Sequence, residues 1–195
     1  MRKTAAVIVL SLVFTLSVVA QYPTEETFGW RLSVTDGAGR FLDFTRTLNL
    51  ERNNSITIAI KSEKDCYCYL VQRGENANIT ILFDGPLPAQ RERFFYPATS
   101  FRLGTFYVVM ALSRLEDLEG PIADYRKDPA SPVKANALYD AVLAVQTRVN
   151  STARPVVEFT TIGGATTRGQ KMETGFYGVR YSESGIYART IIVRY

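Results

Sequence analysis

Histidine is absent from the 195-residue chain. Its absence removes Ser–His and Cys–His nucleophile pairs, His-ligated zinc, and an imidazole proton shuttle near neutral pH. Cysteine is scarce, at two residues, and tryptophan scarcer, at one. An excess of one charge is also missing. The 23 Lys+Arg and 19 Asp+Glu leave a net +4 that is not gathered in one run, so nucleic acid is not an expected partner. What is present is ordinary for a folded protein, with 46% hydrophobic and 22% charged residues.

The start of the chain reads as a secretory signal over residues 1–20. Arg2 and Lys3 form its basic region, Ala5 to Val19 its apolar run, and Val18-Val19-Ala20 the cleavage site before Gln21. The apolar run is shorter than the roughly 20 residues that cross a bilayer core, so cleavage is favoured over a retained anchor. Removing 20 of 195 residues leaves 175, and the charge falls to +2 as Arg2 and Lys3 depart. No later run has spanning length, so no integral membrane segment is expected after cleavage. Both cysteines then lie in an exported chain, within Asp65-Cys66-Tyr67-Cys68-Tyr69-Leu70-Val71. As a strand, this places the thiols on one face about 6.5–7 Å apart, parallel rather than converging. Two reduced cysteines buried in the core are expected.

Residues 21–113 read as β-rich. Phe28 to Val34 precedes a tight reversal at Asp36-Gly37-Ala38-Gly39. Ile56, Ile58 and Ile60 alternate with small or polar residues, the pattern of a half-buried strand. A polar turn at Arg73–Asn78 leads to a strand at Ile79–Phe83, closed by Asp84-Gly85-Pro86, and residues 86–100 read as an irregular loop. Phe106 to Leu112 is apolar on both faces, so it reads as a central strand covered on both sides. Ser131 is placed to cap a helix that Pro132 begins, with Leu138, Val142, Val145 and Val149 along one face and Asn150 at its end. Beyond it, a loop is expected at Gly163–Gly169. Strands near Thr174–Tyr181 and Ile186–Arg194 follow, joined by a hairpin loop at Ser182–Gly185. The expected fold is one domain over 21–195, mainly β: an antiparallel β-sandwich with one packed α-helix at about residues 131–149.

The middle of the chain resembles a bacterial extracytoplasmic family known as domain of unknown function 4384. Three features carry the resemblance: Tyr67-Cys68-Tyr69-Leu70, the strand Ile79-Thr80-Ile81-Leu82-Phe83 after a polar turn, and a strand introduced by Gly104 and leading to Ser113. Where that family has glycine-x-glutamate, this chain has Gly104-Thr105-Phe106. The resemblance spans about residues 50–115. It implies a β-sandwich module and export, and it carries no catalytic residues.

Four motifs invite a chemical reading. Ser131-Pro132-Val133-Lys134 matches the serine-x-x-lysine of penicillin-recognising enzymes. No lysine-threonine-glycine strand accompanies it, and Ser-Pro is also a helix cap, so a Ser–Lys hydrolase is the weaker reading. Gly163–Gly169 lacks the glycine-lysine-serine/threonine ending of a phosphate loop. Glu116, Asp117 and Glu119 fit no ordered cation-ligand spacing and read as a solvated acidic surface at a helix N-terminus. Asp36 with its glycines reads as a turn.

The aromatics are more telling. Eleven Tyr and eleven Phe make the chain rich in side chains suited to interfaces. Arg91, Arg93, Phe94, Phe95 and Tyr96 form a basic and aromatic stretch, the candidate interaction surface, with capping of the sandwich edge as its other reading. A chain ending Ile186–Tyr195 in an aromatic strand also admits a small outer-membrane barrel, against which the helix at 131–149 counts. No catalytic, cofactor or metal site is expected. The functional expectation is an exported protein of the bacterial periplasm or cell surface that engages an envelope protein without catalysis.

Overall fold

The computed structural model describes residues 27–51, 55–74, 76–97, 104–152, 158–159 and 179–194. The expected signal, the loop at 163–169 and the start of the strand expected from Thr174 lie outside those residues. In chain order come β1 (Thr27–Asp36), β2 (Leu48–Asn49), β3 (Ile56–Ser62), β4 (Cys66–Arg73), β5 (Ile79–Leu87), β6 (Glu92–Phe95) and β7 (Gly104–Ala111). Helices α1 (Glu116–Lys127) and α2 (Pro132–Thr152) follow, then β8 (Glu158–Phe159), β9 (Val179–Ser184) and β10 (Ile186–Arg194).

The strands form two five-stranded sheets, ordered β6-β3-β1-β9-β8 and β2-β10-β7-β4-β5. Every described pairing is antiparallel except that of β2 with β10. Alternation along each strand sorts side chains to faces. Trp30, Leu32 and Val34 of β1 and Ile56, Ile58 and Ile60 of β3 meet Cys66, Cys68 and Leu70 of β4 and Phe106, Val108 and Met110 of β7 in one buried core. Trp30 and Tyr187 close edge-to-face across it, with ring centroids 4.5 Å apart. The fold is thus a mainly-β sandwich, as expected.

The second sheet is apolar on its other face too, as the run from Phe106 predicts. Tyr69, Val71, Tyr107 and Val109 pack there against Leu118, Ile122 and Tyr125 of α1 and Leu138, Val142, Val145 and Val149 of α2. Two helices therefore cover this sheet, where one was expected. The sequence places the acidic cluster of α1 at a helix N-terminus, but Gly120-Pro121 interrupts its helical pattern and the expected fold counts only the helix at 131–149. Pro121 lies inside the helix, in its second turn, and leaves the Asp117 carbonyl without its usual i→i+4 donor. The Glu116, Asp117 and Glu119 cluster forms its first turn, suited to the positive end of the helix dipole. α2 begins as expected: the Ser131 hydroxyl accepts the Lys134 backbone N–H at 3.4 Å. It runs past Asn150 to Thr152.

Three further expectations are corrected. β5 does not stop at Phe83 but continues through Asp84-Gly85-Pro86 to Leu87, with Pro86 opposite Tyr67. As a sheet-edge strand, it loses nothing when proline removes an outward N–H. Residues 86–100 contain β6 rather than irregular loop alone. Ser182–Gly185 is not a hairpin loop: β9 pairs with β1 and β10 with β7, so Gly185 turns the chain from one sheet to the other. Its φ of 79° suits glycine.

Buried polar atoms pin α1 in place. The Tyr69 hydroxyl accepts the Leu115 N–H at 3.0 Å and donates to Glu119 Oε1 at 2.9 Å, doing the work of the missing side-chain cap. Tyr125 donates to the Ile79 carbonyl at 2.6 Å, and Arg126 pairs with Asp84. Burial pushes the Tyr69 phenol up to about 12. Tyr69→Phe leaves the Leu115 N–H without its acceptor and costs about 1–3 kcal/mol in urea unfolding at pH 7. The raised value means that the native state holds a proton which the unfolded chain releases near pH 10. Stability therefore falls as pH rises from 10 toward 12, less steeply in Tyr69→Phe.

Cys66 and Cys68 are free and buried, and burial pushes both thiols upward. Thiol titration is expected to find both slow to react in native protein and both reactive in urea; fast native labelling contradicts this placement.

Candidate functional site

The candidate surface falls on β6, an edge strand rather than a loop. β6 pairs with β3 so that Phe95 stands opposite Ile58 and Arg93 opposite Ile60, while Phe94 faces Ala59 and Glu92 faces Lys61. Because Ile58 and Ile60 point into the core, β6 alternates in the same sense. Phe95 is 7% exposed and packs on Phe83 at 5.4 Å between centroids, so it belongs to the core and leaves the proposed surface. Arg93 stacks its guanidinium 4.1 Å above the Phe83 ring, tying the edges of the two sheets together. Arg91 is exposed, and Phe94 and Tyr96 present 50% and 73% of their surface. The stretch thus divides, with Phe95 and Arg93 turned toward the sheet interface and Phe94, Tyr96 and Arg91 toward solvent.

The outward residues join a larger face that the sequence did not reveal. On β1 and β3, the positions facing away from the second sheet include Arg31, Thr57 and Lys61, which are half-buried, and Ser33 and Ala59, which are buried. Arg31 lies directly opposite Lys61, which lies opposite Glu92, and Arg180 of β9 holds the register position on the other side of Arg31. Two like charges opposed across an antiparallel pair are unfavourable. A recess of about 260 Å³ adjoins them, bordered by Arg31, Lys61, Glu63 and Gln90. Burial raises the Glu92 carboxyl, and Lys61 beside it draws it back down. Charge alternation within one strand is visible in a sequence, but opposition between Arg31 and Lys61 needs the register.

The remaining candidates are held by structural contacts. The Lys134 ammonium lies 3.5 Å from Asp128, and only its backbone N–H addresses Ser131. Asp117 pairs with Arg148 at 2.8 Å, and Glu119 accepts from Tyr69. Asp36 accepts the Arg40 and Ala38 N–H groups and the Arg40 guanidinium at 2.7–2.9 Å, which holds its carboxyl below the usual range. Among the described residues, no three Cys, Asp or Glu side chains gather into a metal site. None of the described helices is long and apolar enough to cross a membrane.

No family model, curated protein or solved structure matches the chain.

The division of β6 has a direct consequence for stability. Phe95→Ala removes a buried ring and costs about 3–5 kcal/mol. Phe94→Ala, one residue away on an exposed position, shifts stability by about 0.5 kcal/mol or less. Chemical denaturation of the two variants checks the assignment; equal losses contradict it.

Proposed function

We propose that this is an exported protein of the bacterial cell envelope that works by recognition, binding an acidic segment of a partner protein along the outward face and free edge of the first sheet. The observation that carries the reading is the opposition of Arg31 and Lys61 beside the exposed rings of Phe94 and Tyr96. The cationic pair weakens the sheet it sits on, and an acidic partner offsets that cost. The adjacent rings supply apolar contact of the kind that anchors interfaces. Among the described residues, no strand pairs with the other side of the β6 backbone, which another strand can take. The resemblance to the domain of unknown function 4384 family and the signal-like residues 1–20 support placement in the periplasm or at the cell surface. That family's β-sandwich character fits a module that binds rather than transforms.

The test uses full-length protein in its native envelope, with a photo-crosslinking residue in place of Tyr96. A discrete adduct is expected at low salt, lost at about 0.5 M salt and lost in Arg31→Glu/Lys61→Glu. Intact mass of the exported chain should begin at Gln21. An adduct indifferent to charge reversal overturns acidic recognition, and protein retained inside the cell with residues 1–20 attached overturns export.

A further inference from the structure

A second site lies on the opposite side of the molecule's layers, at one end of the helix-facing surface of the second sheet. Arg73 at the end of β4, Thr105 and Tyr107 at the start of β7, and Arg194 at the end of β10 all occupy positions on that surface. Tyr139 of α2 reaches over them. The result is a cavity of about 300 Å³ lined by these five side chains and by Gly104. That volume is at the small end of ligand sites.

The cavity is built, not left over. Gly104 has a φ of 142°, and a Cβ there would collide with the Arg73 carbonyl. Only glycine lets β7 begin so close to the end of β4. The Arg73 guanidinium carbon sits over the Tyr139 ring, 3.7 Å from its centroid, which holds the cation at the cavity wall. Tyr107 donates to the Tyr139 hydroxyl at 3.3 Å, and the rings meet edge-to-face at 5.8 Å. Burial and the Tyr139 contact push the Tyr107 phenol upward, so it remains a neutral donor.

The charge of the cavity is one-sided. Among the described residues no Asp or Glu lines it, and neither Arg73 nor Arg194 has a carboxylate within ion-pair distance. Two guanidiniums and a group of hydroxyls around a small recess match an oxyanion, because the guanidinium fork donates two parallel hydrogen bonds to a carboxylate or phosphate. We infer that this cavity binds a small ligand through a carboxylate or phosphate group, held between Arg73 and Arg194 with the Tyr139 hydroxyl as a further donor. The site is independent of the β6 surface and stands whether or not that surface binds a partner.

Titration of the full chain with inorganic phosphate and, separately, with benzoate tests the inference, followed by NMR at the amides of Gly104 and Thr105. Saturable shifts are expected with at least one probe, and which probe responds distinguishes a phosphoryl from a carboxylate ligand. Arg73→Gln and Arg194→Gln should each weaken the response about tenfold or more, and Arg73→Lys should weaken it too because it loses the fork. Arg194 is exposed near the end of its strand, so Arg194→Gln tests the site without threatening the fold. Absence of saturation with both probes overturns the inference, as does saturation unchanged in Arg194→Gln. Uncharged benzamide producing the same shifts as benzoate also overturns it.

Discussion

The second sheet is covered on both faces, and the rest of the molecule follows from that constraint. Strands β4 and β7 carry apolar side chains at most positions because their central positions are buried on both faces. Polar atoms that enter such a layer need partners. Tyr69 meets the rule by serving both an uncapped helix start and a carboxylate, and Tyr125 by reaching the β5 backbone. These contacts orient α1 where apolar packing alone would allow it to slide. Beside Arg73 and Arg194 the helix-facing surface becomes cationic.

The first sheet obeys a weaker constraint. One face meets the common core, and the other carries Arg31, Ser33, Thr57, Ala59 and Lys61. The two sheets therefore differ: the second is apolar on both faces, and the first carries half-buried Arg31 and Lys61 together with buried Ser33 and Ala59 on its outward face. β6 joins core and outward face in four residues. Phe95 anchors the edge through the core and Arg93 ties it to Phe83, so Phe94 and Tyr96 are displayed from a fixed support rather than from a loose loop.

Elements were legible where one physical cause dominated. The unbroken apolar run of β7 announced a doubly covered strand, and four apolar residues at helical spacing with a Ser-Pro start announced α2. Legibility failed where a residue's meaning depends on its neighbours in space. Gly120-Pro121 is a turn in isolation and is tolerated within α1 because that helix docks on a sheet. Asp84-Gly85-Pro86 ends an inner strand but not an edge strand. Gly185 serves a hairpin or a sheet-to-sheet corner with the same backbone conformation. In the aromatic stretch, composition pointed to a surface, but only the pairing of β6 with β3 fixed which ring is buried. The Arg73 cavity had no local signal at all, because its residues are scattered along the chain from β4 to β10.

The missing histidine returns here as a constraint on control. Without an imidazole, few groups change charge between pH 5 and 8. Arginine and lysine stay protonated there, and burial moves the Tyr69 and Tyr107 phenols and both thiols further above the window. Hydrogen bonds from neighbouring groups hold Asp36, Asp43 and Asp124 below it. Among the described residues, Glu92 is the carboxylate raised by burial, its shift running toward that window. The proposed binding at the Arg31–Lys61 face and at the Arg73–Arg194 cavity rests on arginine and lysine side chains and not on a histidine. Ionic strength, through screening of those cations, is then the variable expected to govern both proposed sites.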